Sequence, residues 1–367
     1  MSAPTTVIQF PERWLHRYAV LVVFCTLGLI GLGGLVTSKG VGMAVPDWPT
    51  TYGYNMFFFP VHLWQGGVFH EHVHRLVASG IGFLSIGLAV WTQLVERRTW
   101  LKKLAWAALL LVVVQGVLGG KRVVLNDVPV LGIPGSVFFG VLHAATAQVF
   151  FCLIGTIALV TSPWWRRGAS MPVIRGAAAI PGLTALILVQ LLVAASMRHQ
   201  HAGLAIPDFP LAHGHLYPPT NPEFIAALNQ RRVEVLAFAP ITAFQIHLQM
   251  LHRLLALIIV VGVWIHGYKS LGWGTVAARW GMAWSGLLLL QFTLGAATIW
   301  TDKAADLATA HVVGGALSLL TGVLFSLVLQ RAKVKGIEDN SCPQPRRFLN
   351  PLPVATGADV ASWRPSR

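Results

Sequence analysis

Charge is scarce in this chain of 367 residues: only 11% of them are Asp, Glu, Lys or Arg, whereas 55% are hydrophobic. A soluble domain of this length carries a much larger share of charged residues. Eight segments contain apolar stretches of about 20 residues, the length that crosses a bilayer as a helix. The shortage of charge therefore excludes an ordinary soluble enzyme and predicts an all-α membrane protein with eight transmembrane helices.

Cysteine is equally rare, with three in the whole chain. Cys25 and Cys152 lie in predicted spans and Cys342 lies in the C-terminal tail, so no disulfide is expected between the loops outside the membrane. The first span is long and is preceded by few residues, without a small-residue cleavage site. We therefore expect no cleaved signal peptide.

Acidic residues are outnumbered by basic ones, 13 to 27, which gives a net charge of +14. An excess of basic residues would suit a nucleic-acid partner, but these residues are concentrated in the predicted loops and termini of one side of the membrane. Of the 27 basic residues, 18 fall in the termini and loops of one side and 7 in those of the other. The positive-inside rule then predicts a multi-pass protein of the bacterial inner membrane with both termini in the cytoplasm. The lipid bilayer, and not nucleic acid, is the expected partner.

An internal repeat is present along the chain. Residues 44–49 read Ala-Val-Pro-Asp-Trp-Pro, and residues 205–210 read Ala-Ile-Pro-Asp-Phe-Pro. The other repeated positions are His74-Arg75 with His252-Arg253, Gln115 with Gln291, and His143 with His311. The repeat predicts two pseudo-symmetric four-helix bundles of the same orientation. The expected division is a cytoplasmic arm at 1–13, bundles at 14–165 and 166–333, and a disordered tail at 334–367.

Each predicted bundle contributes one histidine from its second helix and one from its fourth. His74 and His143 form one expected pair, and His252 and His311 form the other. Two opposed imidazoles suit axial ligation of a haem iron, and facing helices of a bundle can supply them. Zinc is disfavoured, because no Cys or carboxylate completes a tetrahedral set in both halves. We expect Arg75 and Arg253 to contact haem propionates, and small residues to make room for a flat macrocycle, namely Gly119, Gly120, Ala144, Ala145, Gly314 and Gly315.

The halves differ at one acid. Glu71 lies three residues before His74, on the same helix face, and Gln249 holds the matching position before His252. Glutamate can act as a base or a nucleophile, whereas glutamine cannot exchange a proton at working pH. The difference predicts chemistry in the N-terminal half and a resident redox haem in the C-terminal half. An interfacial cluster without chemistry is the alternative.

Six further histidines are weaker candidates. His70 and His72 have no counterpart in the second half, and we expect them to be solvated at the interface. Two His-x-His pairs in the second large loop leave open a copper or other metal site, although such pairs also occur in ordinary polar loops; they are His199 with His201 and His213 with His215.

Taken together, these motifs resemble the heme A synthase family over nearly the whole chain, in its proteobacterial and mitochondrial branch. The resemblance rests on the Glu-x-x-His-Arg segment at Glu71, the other three histidines and both Pro-Asp-aromatic-Pro loops. It implies oxidation of the C8 methyl of heme O to the formyl of heme A, for cytochrome c oxidase assembly. By resemblance, Glu71 is the catalytic acid, His74 and His143 hold the substrate haem, and His252 and His311 hold heme b. A second branch carries a cysteine pair in its loops, which this chain lacks.

The resemblance also implies a route and partners. Two successive two-electron oxidations would lead through the alcohol to the hydrated aldehyde, with water as the oxygen source and haem sites toward the periplasm. Expected partners are heme O and heme A, heme O synthase, oxidase assembly factors and a second copy of the chain. The alternatives left open are a di-haem electron-transfer protein similar to a cytochrome b, without chemistry on its haems, and a haem transporter with discontinuous helices.

Overall fold

A computed structural model of the protein describes residues 12–167, 177–234, 236 and 239–341. In this part of the chain, eight long helices are apolar enough to cross a membrane, which confirms the predicted number of spans. Two shorter helices lie between them. In chain order the helices are α1 (Glu12–Ser38), α2 (Gly66–Val95), α3 (Thr99–Val124), α4 (Gly135–Thr161), α5 (Pro163–Arg166), α6 (Ala179–His199), α7 (Pro222–Glu234), α8 (Ala243–Ser270), α9 (Thr275–Trp300) and α10 (Ala305–Ser341).

Local sequence explains where several helices begin. The N-cap of α4 is Pro134, whose fixed φ suits the start of a helix. Helix α8 begins with a capping box, in which Thr242 and Gln245 each bind the other's backbone N–H. Helix α2 begins at Gly66, after a 3-10 turn at Val61–Leu63. In the sequence, helix-breaking or turn residues mark the expected starts of α2, α4, α8 and α10, namely Pro60, Pro134, Pro240 and Asp302. The observed starts fall one to six residues after them, since short turns intervene.

The helices pack in a closed cycle within each half of the chain. In the N-terminal half, α1 contacts α2 and α4, and α3 contacts the same two helices. In the C-terminal half, α6 contacts α8 and α10, and α9 contacts the same two. The halves meet where α1 and α4 pack against α10, and where α4 packs against α6. This packing has the pattern expected of two four-helix bundles; the duplication and the domain limits remain predictions.

Each half has its own apolar core. Phe151 and Ile154 lie at the centre of the first, and Trp284 and Phe325 at the centre of the second, all of them fully buried. Within residues 221–236, apolar and charged residues recur at helical spacing, which predicts a short helix, and α7 confirms it. Helix α10 extends to Ser341, eight residues past the predicted bundle end at 333. The predicted arm, up to residue 11, and the predicted tail, from residue 342, lie outside the described residues.

One end of the helix assembly carries the candidate site. There α1, α3, α6 and α9 end, and α2, α4, α8 and α10 begin. We name it the histidine end, because the four paired histidines all lie within the first ten residues of their helices. At about 1.5 Å of rise per residue, they are roughly 9–14 Å from the helix starts. This depth is shallower than the roughly 13–21 Å that the same rise gives when residues are counted from Pro60, Pro134, Pro240 and Asp302.

Candidate functional site

The two Pro-Asp-aromatic-Pro loops are held by the residues that the repeat relates. The carboxylate of Glu71 accepts a hydrogen bond from the backbone N–H of Val45 at 2.9 Å. The side-chain carbonyl of Gln249 accepts one from the N–H of Ile206 at 2.8 Å. Both side chains are buried, with 4% and 2% of their surfaces exposed. Glu71 and Gln249 therefore perform the same structural task, each fixing a loop to its second long helix.

The remaining contacts of these two side chains differ. The second oxygen of Glu71 accepts a hydrogen bond from Arg75 at 2.7 Å, which is also an ion pair. The amide nitrogen of Gln249 instead donates to the carbonyls of Gly203 and Ile206. The acid thus faces two donors, whereas the amide faces one donor and two acceptors. Each residue type matches its own surroundings.

The arginines of the repeat bind loop backbone. Arg75 donates to the carbonyls of Val45, Asp47 and Thr50 at 2.7–3.1 Å. Arg253 donates to those of Asp208 and Leu211 at 2.7 and 2.8 Å. Their contact with haem propionates stays a prediction. The terminal nitrogens of both guanidinium groups already have protein partners.

The aspartates of the two loops close tight turns, as their sequence context predicts. Asp47 accepts hydrogen bonds from Thr50 Oγ1 and from the N–H groups of Tyr52 and Gly53. Burial acts to raise the pKa of Asp47, but these bonds to the ionised form outweigh it and hold that pKa below its ordinary value. Asp208 accepts from the N–H groups of His213 and Gly214, and its pKa is lowered in the same way.

Glutamines orient the histidines of α4 and α10. Nδ1 of His143 lies 3.1 Å from the backbone carbonyl oxygen of Gln115, and Nδ1 of His311 lies 3.1 Å from the backbone carbonyl oxygen of Gln291. A carbonyl oxygen only accepts, so each Nδ1 carries the proton and each Nε2 keeps its lone pair, the form that binds a metal. The side-chain amides of the same glutamines donate to the backbone carbonyls of His143 and His311.

The histidines of α2 and α8 are held less firmly. Nδ1 of His74 and Nδ1 of His252 are buried and have no hydrogen-bond partner among the described residues. The ring centres of His252 and His311 are 6.4 Å apart, with the rings inclined at 72°. His74 lies within electrostatic reach of His143. The structure thus brings together both pairs that the sequence predicts.

Three glycines lie directly against these rings. A methyl group at Gly33 would lie 3.0 Å from Cε1 of His74, and one at Gly295 would lie 3.0 Å from Cε1 of His311. At Gly119 it would lie 3.3 Å from Cε1 of His143. The other glycines expected to make room for a macrocycle pack against protein side chains instead: Gly120 against Trp48, Gly314 against Gln291, and Gly315 against Leu191 and Gln291.

The remaining candidate histidines take separate positions. His72 is fully buried, packed between Phe59 and Trp64 and within 3.2 Å of Thr51 Oγ1, so the expectation that it is solvated is wrong. His70 contacts the amine of Lys39 at 2.9 Å.

The two His-x-His pairs lie in different surroundings. The rings of His213 and His215 both contact Phe224, and His213 also binds the carbonyl of Ala205 at 2.9 Å. The ring of His199 packs against Gly140. In the described part of the chain, no three His, Cys, Asp or Glu side chains form a group that could hold a metal ion.

Several residues near the histidines are not marked by the repeat. Gln190 donates to the backbone carbonyl of His252 at 2.9 Å. Arg122 lies within electrostatic reach of Glu71, His74 and His143. Arg198 donates to Gly34 and Ser38 of α1. None has a like residue at the matching repeat position, so the only available signal was an arginine at the end of an apolar span or an amide within one.

Comparison with known proteins agrees with this arrangement. Residues 16–323 match the COX15-CtaA family model, described as cytochrome oxidase assembly protein. The chain is 24% identical over 332 residues to the heme A synthase of Listeria monocytogenes serotype 4a, covering 86% of this chain and 94% of the relative. It is 25% identical to the heme A synthase of Shewanella oneidensis, covering 86% and 96%. It is 27% identical to that of Bacillus cereus, covering 88% and 95%. Because the family model spans most of its length, this membrane chain belongs to the COX15-CtaA family of cytochrome oxidase assembly proteins.

Proposed function

We propose that the chain is a heme A synthase that oxidises the C8 methyl group of heme O to a formyl group through a hydroxymethyl intermediate. The observation that carries this assignment is the pair Glu71 and Gln249, which hold the same loop position in the two halves although only one is an acid. A carboxylate can accept a proton during turnover, whereas an amide cannot. The chemistry is accordingly assigned to the N-terminal half.

The two histidine pairs are assigned different haems. His74 and His143 hold the substrate heme O, and His252 and His311 hold a resident heme b. Two imidazoles that bind one metal ion through bonds of about 2.0–2.1 Å place their ring centres roughly 6 Å apart. The separation of 6.4 Å between His252 and His311 fits this requirement, as do the free Nε2 lone pairs of His143 and His311. Bound heme b supplies a one-electron redox couple.

The reaction balances with water as the source of oxygen. Each oxidation removes two electrons and two protons while one water oxygen is added to the carbon, and the hydrated aldehyde then loses water to give the formyl group. Glu71 accepts a proton released from the substrate. Its carboxylate is fixed by Val45 and Arg75, and each oxygen keeps a further lone pair for a proton. The electrons pass to an acceptor outside this chain.

The charge distribution supports a location in the bacterial inner membrane, with both termini in the cytoplasm and the histidine end toward the periplasm. Tyr54 is a suitable reporter because 48% of its surface is exposed in the first Pro-Asp-aromatic-Pro loop. A cysteine at this position should react with an impermeant reagent added from the periplasmic side. Reaction only from the cytoplasmic side would refute the orientation. Heme O synthase, oxidase assembly factors and a second copy of the chain are the proposed partners.

A di-haem electron-transfer protein is the second candidate. It is favoured by the structural task of Glu71, since an acid that only fixes a loop needs no part in catalysis. The transporter alternative predicts interrupted helices, whereas the eight long helices are continuous in the described residues.

Extraction of the bound haems from the purified full-length protein, followed by chromatography, distinguishes the two leading candidates. Heme O, hydroxylated heme or heme A beside heme b is expected of the synthase. Heme b as the sole haem, in cells that also make heme O, would support electron transfer alone.

A further inference from the structure

Three cationic side chains and a histidine lie together at the histidine end, between the two halves. We name them the inter-half basic cluster: Arg122 at the end of α3, Arg198 and His199 at the end of α6, and Lys303 before α10. Arg122 and Arg198 lie within electrostatic reach of one another, as do Arg198 and Lys303. Burial and the charge of Arg198 lower the pKa of Lys303. Three separate connections of the chain thus bring like charges to one place.

These cations form no direct ion pair among the described residues, although Arg122 is within electrostatic reach of Glu71. In the described part of the chain, the ion pairs involve Glu71 with Arg75 and Glu96 with Arg98 and Arg166, so none includes the cluster. Nε of Arg122 and Nε of Arg198 are buried without a hydrogen-bond partner there. An arginine cannot lose its charge in a protein, and an unpaired buried charge is costly. Because the carboxylate of Glu71 is already paired with Arg75, a further anion bound at the cluster would stabilise these cations.

The cluster lies beside both histidine pairs. Arg122 is within electrostatic reach of His74 and His143, and Arg198 is within reach of His311. The ring of His199 packs on Gly140 of α4, three residues before His143. An anion bound here would therefore adjoin whatever the histidines hold.

The cluster also distinguishes the halves. By the offset that relates Gln115 to Gln291, the counterpart of Arg122 is Thr298. By the offset that relates the two Pro-Asp-aromatic-Pro loops, the counterpart of Arg198 is Thr37. The cationic site is consequently not duplicated, and Arg122 belongs to the half that we assign to the substrate.

We propose that Arg122, supported by Arg198, binds a propionate carboxylate of the haem held between His74 and His143. This inference rests on the proposed function for the identity of the ligand. The guanidinium group of an arginine matches a carboxylate with two parallel N–H donors. The terminal nitrogens of Arg75 already bind loop carbonyls and Glu71, whereas Nε of Arg122 is a donor without a partner among the described residues and is available to a carboxylate in this half. Arg122 is thus a substrate-binding residue outside the repeated motifs.

The test compares two probes on the full-length protein purified with its resident haem. The probes are ferric protoporphyrin IX and its dimethyl ester, which lacks the propionate charges, and binding is followed by absorbance. The unaltered protein should bind the free acid more tightly than the ester. Arg122→Gln should lower the affinity for the free acid by roughly 10- to 100-fold, the value of a charge-assisted hydrogen bond, and leave the ester unaffected. Arg279→Gln, at an exposed arginine of α9, is the matched control and should change neither affinity.

Equal losses for both probes in Arg122→Gln, or no preference for the free acid in the unaltered protein, would overturn the proposal. Arg122→Lys, which keeps the charge, guards against a variant that fails to fold and should retain part of the preference. Nanodiscs of phosphatidylcholine and of phosphatidylglycerol separate a propionate from a lipid phosphate. If phosphatidylglycerol competes with the haem probe in the unaltered protein but not in Arg122→Gln, and the free acid and the ester bind equally well, the cluster binds a lipid phosphate instead. The binding test measures no turnover, so its outcome is separate from the synthase assignment. That assignment would fail by a different result, namely heme A formation that persists in a variant without Glu71.

Discussion

The two halves of this protein hold their loops with matching bonds, yet they differ in which groups remain able to react. Val45 and Ile206 each donate to the side chain that precedes a histidine by three residues. In the N-terminal half that side chain is an acid paired with Arg75, and in the C-terminal half it is an amide bonded to loop carbonyls. The comparison teaches that a repeated scaffold can place a proton-accepting group in one copy and a polar but inert group in the other.

Because the surroundings of Glu71 and Gln249 differ, exchanging these two side chains would alter their hydrogen bonds as well as their ability to accept a proton. In the position of Glu71, a glutamine would meet two donors with only one acceptor oxygen, so its amide nitrogen would face an N–H group. In the position of Gln249, a glutamate would face the carbonyls of Gly203 and Ile206. Neither exchange is structurally neutral. Haem occupancy therefore has to be measured beside activity.

The largest expected effect comes from removing a ligand of the resident haem. His252→Ala or His311→Ala should abolish the low-spin b-type spectrum of the purified protein, because an iron bound by two imidazoles loses one of them. His74→Ala and His143→Ala are the matched changes in the other half and should preserve that spectrum. A full b-type spectrum in either C-terminal variant would contradict the assignment. Optical and paramagnetic resonance spectra of the four variants make the measurement.

The next largest effect is expected from replacing the acid Glu71. Glu71→Gln should lower the yield of heme A per bound haem by roughly 10²–10⁴-fold, the range for loss of a general base. Gln249→Glu should leave the yield largely intact, although a carboxylate facing two carbonyls should cost about 1–3 kcal/mol of stability. Haem analysis of membranes carrying each variant is the measurement. A near-normal yield from Glu71→Gln would leave this residue the purely structural role of its counterpart.

A smaller effect is expected at the glutamines that orient the histidines. Gln115→Leu should weaken haem binding by His74 and His143, and Gln291→Leu should weaken binding by His252 and His311, each by about 10–100-fold as for other partners of metal ligands. The backbone bond to Nδ1 remains in both variants, which limits the loss. Haem titration of each variant tests this, and a loss in the opposite half would show that the pairs are not independent.

The smallest effect concerns the loop aspartates. Asp47 accepts from three donors and Asp208 from two, so Asp47→Asn should destabilise the fold by about 0.5–1.5 kcal/mol and Asp208→Asn by no more. The folded pKa of Asp47 lies below its unfolded value, so its carboxylate stabilises the fold above the unfolded pKa. This contribution is lost as the pH falls through the folded pKa. Thermal unfolding at pH 7 should show a difference from Asp47→Asn, and this difference should shrink as the pH falls below 3.8 and disappear once the pH is below the folded pKa.

The sequence by itself determined the eight spans, because a helix in lipid must be long and apolar, and both properties are written locally along the chain. It also placed the paired histidines at matching positions, since similar motifs that recur in the same order along the chain need no coordinates to be recognised. The sequence located the first residues of the helices less accurately. A proline or aspartate marks the boundary of a helix, whereas the first helical residue depends on the turns that follow.

Only the tertiary structure decided what the polar side chains contact. The bonds of Arg75 to the first loop cross about 30 positions of sequence, and Arg198 reaches α1 across 164. Hydropathy and spacing do not encode such partners, because each depends on how separate helices pack. The burial of His72 and the meeting of Arg122 with Arg198 follow for the same reason. Three helix connections must converge before Arg122, Arg198 and Lys303 form one site.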